Sequence, residues 1–315
     1  MTEPHVLAIG EAVMDIIERD GMPPLEIPGG APANFALAMA RLGRSSYLHT
    51  WLADDQRGHV IANHLEQAGV HLTKASWGAN HTSTAHVTLR PDGRADYEFD
   101  FEWAPPQIKP SPCAQIVHAG SIATLMEPGA KAVRALMETA RDHALVTFMP
   151  NVRPSFIGET PVFNMGITPM LAAADVIAVS IEDLDWIRGS ASRETVIDIW
   201  RNMGTGLVIV IDLRVAVHAY TAKGPGVTLP VVDVDVQDTI GVTDAFLAGV
   251  IDRMWEMGLR GPDARTELQR LQRDELLSML HRGLHASAYT ATKVGADPPT
   301  RAALESFDHV CDALG

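Results

Sequence analysis

The chain has 315 residues, 46% of them apolar and 20% charged. That balance excludes a disordered chain, and the length allows one large domain or two modest ones, each able to bury a core without disulfide or metal staples. Lysine and arginine number 25 against 39 aspartate and glutamate, and the net charge of −14 argues against non-specific binding to nucleic acid or an anionic membrane. Cys113 and Cys311 lie far apart and form no C-x-x-C pair, so a zinc knuckle or dithiol site is excluded and a reducing compartment is expected. Met1 to His5 has no basic n-region and no apolar run approaches the roughly 18 residues of a membrane span. The expectation is a soluble cytoplasmic protein that engages neither membrane nor nucleic acid.

In chain order, Val6–Ile9 reads as a first buried strand and Ser46 to Leu52 as a second, with helical patterns at Ala33–Leu42 and Val60–Ala68, each closed by a glycine, Gly43 or Gly69. Thr84–Leu89 and Ala95–Phe101 are rich in Thr, Val, Tyr and Phe and flank Arg90-Pro-Asp-Gly-Arg94, a turn signal that predicts an antiparallel hairpin. Strand-like runs follow at Ile116–His118, Leu145–Phe148, Val176–Val179 and Leu207–Ile211. Between them lie helical patterns at Gly129–His143, Ile167–Ala174 and Arg193–Met203. This alternation predicts an α/β fold with a mainly parallel sheet covered on both faces. With no repeat or low-complexity linker, residues 1–315 read as a single domain, and the hairpin together with the excursion at Gly21–Pro24 reads as an insertion formed by about residues 12–28 and 83–106, suited to a lid or a homodimer contact.

Three segments carry chemistry. In Pro28-Gly-Gly-Ala-Pro-Ala-Asn-Phe35, Gly29 and Gly30 let backbone approach a ligand, Pro32 suits a first helical turn, and Asn34 presents an amide there; an ordinary strand-to-helix turn would read the same way. In Val236 to Phe246, residues Gly241, Val242 and Thr243 precede an apolar helix, so their amides form an anion site, and Asp244 in the first turn is placed to accept a proton from an attacking hydroxyl. An acidic residue there also favours a helix N-terminus on electrostatic grounds alone. Asn151-Val-Arg153 follows a strand, where ligand-holding residues of open α/β sheets stand. Trp103, just after the hairpin, could close over a ligand. His281 and His285 have i, i+4 spacing, but with no third ligand nearby they read as a solvated helix face, as does the acidic run Glu182-Asp183 with Asp185.

Gly10-Glu-Ala-Val-Met-Asp15, Gly29-Gly-Ala-Pro-Ala-Asn34, Pro150-Asn-Val-Arg153 and Asp238-Thr-Ile-Gly-Val-Thr-Asp-Ala-Phe246, in this order, closely resemble the ribokinase (PfkB) family of sugar kinases, closest in flavour to bacterial fructokinase. The resemblance implies a ribokinase-like fold with a β lid and ATP-dependent phosphorylation of a sugar hydroxyl. By position Asp15, Gly30 and Asn34 match the family's sugar-binding residues, Asp244 its catalytic base, and Gly241, Val242 and Thr243 its anion hole. Ser180, Asp183, Ile211, Leu213 and Gly241 fall on its nucleotide side, and Asp238 and Ile240 near its monovalent-cation loop. ATP, Mg2+ and K+ are the implied cofactors, and a sugar and ATP the implied partners.

The departures gather on the nucleotide side. The family's G-A-G-D is Gly241-Val-Thr-Asp244, its F-D-P-N-x-R is Phe148-Met149-Pro-Asn-Val-Arg153, a frequent lysine is Ala178, and V-T-x-G is Val210-Ile-Asp-Leu213. Two readings follow: a kinase for a ketose such as fructose with a reshaped nucleotide pocket, or a sugar- or nucleoside-binding protein that has lost phosphoryl transfer.

Overall fold

In the computed structural model, which describes residues 3–19, 22–89, 95–152, 160–222 and 226–314, the first half of the chain contributes β1 (His5–Ile9), β2 (Val13–Arg19), β3 (Met22–Gly29), α1 (Ala31–Arg41), β4 (Ser46–His49), β5 (Leu52–Ala53), α2 (Gln56–Gln67), β6 (Val70–Leu72) and β7 (Trp77–Ala79). Next come β8 (Thr84–Leu89), β9 (Ala95–Asp100), β10 (Ala114–Gly120), α3 (Ala130–Ala140), β11 (Leu145–Met149), α4 (Thr160–Ala173), β12 (Val176–Ser180), α5 (Ile181–Arg188) and α6 (Arg193–Asn202). The last part holds β13 (Leu207–Asp212), β14 (Ala216–Thr221), β15 (Val227–Pro230), α7 (Val242–Glu256), α8 (Ala264–Leu268), α9 (Arg273–Ala291) and α10 (Arg301–Leu314).

Every residue of β1 is buried. Its side chains alternate between two apolar layers, Val6 and Ala8 to one and Leu7 and Ile9 to the other, because successive residues of a strand face opposite ways. The same sorting holds in β12 and β13, so continuous apolar runs mark strands buried on both faces. Helices α1, α2, α7 and α9 cover one face, while α3, α4, α5 and α6 cover the other.

Strand order is β15-β14-β13-β12-β11-β10-β1-β4-β6. The run from β13 to β6 is parallel, and β14 and β15 extend its edge as antiparallel neighbours. From β1 the chain goes to β4 and β6 on one side and to β10 through β13 on the other. That reversal opens a crevice outside the C-terminal ends of β1 and β10. A second sheet, β3-β2-β8-β9, borders the crevice; β2 and β8 pair in parallel, and the other two pairs are antiparallel. The predicted hairpin is β8 and β9, and its turn at 90–94 lies outside the described residues.

Two element boundaries differ from the sequence reading. The predicted Ser46–Leu52 strand ends at His49, whose ring bonds Thr73 Oγ1 at 2.8 Å and the Pro106 carbonyl at 3.0 Å, and Leu52–Ala53 pairs separately with β7. Helix α2 starts four residues before the predicted Val60, because Asp55 caps it by accepting the Gly58 amide at 2.7 Å. No helix among the described residues is long and apolar enough to cross a membrane.

Candidate active site

The crevice is a cleft of about 510 Å³ lined from the tips of β1, β10, β11 and β12, the starts of α1, α5 and α7, and the second sheet. Gly30 opens α1 at φ 104°, and a Cβ there would stand 2.6 Å from the Glu11 carbonyl, so glycine alone fits the turn. The turn delivers Asn34, whose amide donates to Gly30 O at 2.9 Å and whose side chain is buried at the cleft wall. Asp15, on β2, enters from the other side; burial pushes its carboxyl up to about 6. Gly29 does not line the cleft but lies against that carboxylate, where a Cβ would overlap Asp15 Oδ2.

Gly241 opens α7 in the left-handed region, φ 72°, and a Cβ would come 2.7 Å from Ala296. The first amides of a helix lack intrahelical acceptors and carry the positive end of its dipole, so this start suits an anion. Ile240, Gly241, Thr243 and Asp244 line the cleft, whereas Val242 is buried behind them. Asp244 is buried and accepts a 3.1 Å hydrogen bond from Asn34 Nδ2, which ties two helix starts 210 residues apart into one site. Asp238 lies behind the lining: its Oδ1 accepts the Thr239 and Ile240 amides at 2.7 and 3.1 Å, and its Oδ2 the Gly295 amide at 2.8 Å. That clamp orders the 238–240 loop against the turn at Gly295.

A third group, on the floor, was not singled out from sequence. Glu11 is buried at the end of β1, lines the cleft, and accepts the Ala123 amide at 3.3 Å and a hydrogen bond from the Ser121 side chain. Burial, chiefly, pushes its carboxyl up to about 7, and the nearby Asp244 adds to the rise. Ser121, after β10, sits at φ 66°, ψ −166°, a region otherwise left to glycine that costs on the order of 1–3 kcal/mol. Its amide donates to Met149 O at 3.0 Å, its carbonyl accepts Thr124 Oγ1 at 2.7 Å, and its hydroxyl accepts Asn151 Nδ2 at 3.3 Å. The neighbouring His118 ring, buried in β10 beside Thr147, is pushed down to about 3 by burial and stays neutral.

The remaining sequence candidates divide. Asn151, Ser180 and Asp183 line the cleft, with Ser180 capping α5 through the Asp183 amide and Asp183 Oδ1 accepting the Val152 amide at 3.0 Å. Glu182, expected on a solvated face, lines the cleft as well. Ile211 and Leu213 do not: in β13 the odd-numbered residues face the α7–α9 layer, so Ile211 is core and Leu213 packs against that core. Trp103 is likewise not at the cleft; it is buried against Gly129 and Pro105, since a Cβ on Gly129 would strike the indole. Arg153 lies outside the described residues. His281 and His285 pack edge to face, with His285 Nδ1 bonded to Asp308 at 2.6 Å, and no group of three metal-ligating side chains occurs among the described residues.

Residues 3–302 match the family described as pfkB family carbohydrate kinase. The chain belongs to the PfkB family of carbohydrate kinases. It is similar to a fructokinase of Rhizobium leguminosarum bv. trifolii, 29% identical over 296 residues that span 85% of this chain and 90% of that one. It is also 30% identical to fructokinase-2 of Solanum lycopersicum over 324 residues, 96% of this chain and 94% of that one. The crystal structure of Xylella fastidiosa fructokinase with bound ATP superposes with a TM-score of 0.85 at 26% identity, covering 98% of this chain and 99% of that one. The kinase is thus a phosphotransferase with an alcohol acceptor on a ribokinase-like fold, and the reading as a protein without phosphoryl transfer is not favoured.

Proposed function

We propose that the kinase transfers the γ-phosphoryl group of ATP to a primary hydroxyl of a ketose such as fructose, with Asp244 as general base. The observation that carries this reading is the Asn34–Asp244 hydrogen bond at 3.1 Å, which sets a buried carboxylate between the sugar-side helix start and the anion-suited one. Asp15, Gly30 and Asn34 bind and orient the sugar, and Asp244 accepts the proton of the hydroxyl that attacks phosphorus. The first amides of α7, with the Thr243 hydroxyl beside them, hold the negative charge that develops on the transferring group. The second sheet, as a lid, excludes water.

The described lining includes Glu11, Asp15, Glu182, Asp183 and Asp244 but no lysine or arginine. A polyphosphate entering such a cleft needs cations for charge balance, which supports Mg2+ on the nucleotide. Bound Mg2+ supplies neutralisation of the phosphate oxygens. K+ would sit at the 238–240 loop that Asp238 orders, where it would add to the positive field at the α7 start. Pairing through the lid sheet would make a homodimer, and a cytoplasmic location fits a substrate such as ATP.

Asp244→Asn keeps the shape and the contact with Asn34 but removes the proton acceptor. Turnover should fall about 10²–10⁴-fold with sugar affinity nearly unchanged in calorimetry; a variant that keeps wild-type turnover would rule out the base assignment.

A further inference from the structure

The hydrogen bonds on the cleft floor have a fixed polarity. A hydroxyl has one proton, and Ser121 gives its own to Glu11. It must therefore accept from Asn151, which is the 3.3 Å bond from Nδ2. An amide held by its nitrogen turns its oxygen the other way, so Oδ1 of Asn151 is the end directed away from Ser121, on a residue that lines the cleft. The Ser121 turn keeps this arrangement in a backbone conformation unfavourable for serine, anchored by its amide on Met149 O and its carbonyl under Thr124 Oγ1.

We propose that Glu11 and Ser121 are positioning residues that select the substrate: by orienting Asn151 they present an acceptor to the bound molecule, which makes this a site for a neutral polyhydroxyl sugar and against a sugar acid. A sugar hydroxyl can donate to Oδ1, whereas a carboxylate offers only acceptors and would face oxygen with oxygen. The charge of the cleft acts in the same sense. Glu11 at the tip of β1, Asp15 on β2, Glu182 and Asp183 on α5 and Asp244 on α7 surround the space, and the one titratable ring beneath it, His118 on β10, is neutral. Burial keeps Glu11 itself protonated into the neutral range, in which form its carbonyl oxygen still accepts from Ser121.

This inference rests on the sugar-kinase reading above and deepens it. The test is steady-state kinetics with MgATP on D-fructose and on 2-keto-3-deoxygluconate, for the wild type, Ser121→Ala, Ser121→Gly and Glu11→Gln. The wild type should prefer the neutral ketose by at least about a hundredfold in kcat/KM. Ser121→Ala should raise the fructose KM about tenfold, leave the ATP KM unchanged, and narrow the preference. Ser121→Gly removes the same hydroxyl while fitting the backbone without strain, so its KM change should match that of Ser121→Ala even if the alanine variant folds poorly. Glu11→Gln, which retains a carbonyl acceptor for Ser121, should keep the preference. A wild type that favours the sugar acid, or Ser121→Gly with wild-type constants for both sugars, would overturn the proposal while leaving the kinase reading intact. A wild type that phosphorylates no sugar would overturn both.

Discussion

On the β1–α1 side of the cleft, Asp15, Gly30 and Asn34 meet the space with side chains and a glycine turn whose geometry is pinned: Asn34 to Asp244, Asp15 against Gly29, Gly30 over the Glu11 carbonyl. On the β12–β13 side, Ser180 and Asp183 serve first as a cap and as an acceptor for the Val152 amide, and Ile211 and Leu213 turn into the core. The first side fixes its ligand through particular functional groups, so residue identity there carries the chemistry. The second offers mostly backbone, helix ends and shape, and tolerates residue changes that would disable the first. Departures such as Ala178 and Leu213 fall where side chains are packing: Ala178 is buried in β12 and Leu213 leans on the core.

After the loss expected at Asp244, the largest effect should come from Asn34→Ala. It removes a side-chain donor from a buried carboxylate and a sugar contact together, a loss of about 1–3 kcal/mol, so sugar KM should rise and kcat fall while the ATP KM holds. An equal shift in both KM values would erase the contrast between the two sides.

Glu11 gives an intermediate effect that is read by pH. Its folded carboxyl lies at about 7 against an ordinary 4.5. An acid raised in this way costs nothing below its unfolded value. It destabilises increasingly as pH climbs toward the folded value, and by a constant amount above it. Glu11→Gln removes that cost, so the difference in Tm, variant minus wild type, should grow from about pH 5 to about pH 7.5 and then level. A difference that stays flat with pH would contradict a buried, protonatable Glu11.

The smallest effect belongs to Ile211→Val. As a core change it should cost about 0.5–1.5 kcal/mol of stability and leave the ATP KM alone. A raised ATP KM with unchanged Tm would return Ile211 to the nucleotide side.

Much of this was legible in the sequence for physical reasons. Buried parallel strands are continuous apolar runs, the hairpin announces itself by Pro91-Asp-Gly93 between β-rich segments, and Gly30 with Pro32 marks a helix start that needs positive φ. Asp244, Asn34 and Asp15 followed from their places in those turns. Glu11 and Ser121 did not, because an acid beyond a strand reads as solvated and serine carries no signal for φ 66°. Glu182 was misread for the same reason as Glu11: exposure at a helix start depends on which neighbouring strands end beside it. Ile211 and Leu213 were misjudged because motif position does not reveal which face of β13 a residue takes, and Trp103 because an aromatic near a hairpin packs on the core as readily as on a ligand.

The central claim is that this cleft phosphorylates a neutral ketose at the expense of ATP. Incubation with MgATP and K+ against D-fructose, D-ribose, 2-keto-3-deoxygluconate and adenosine, read by mass spectrometry, tests it most directly. The account predicts one added phosphate on fructose, with the sugar acid left unmodified. Phosphate on adenosine or on the sugar acid in preference to fructose, or on none of the four, would contradict it.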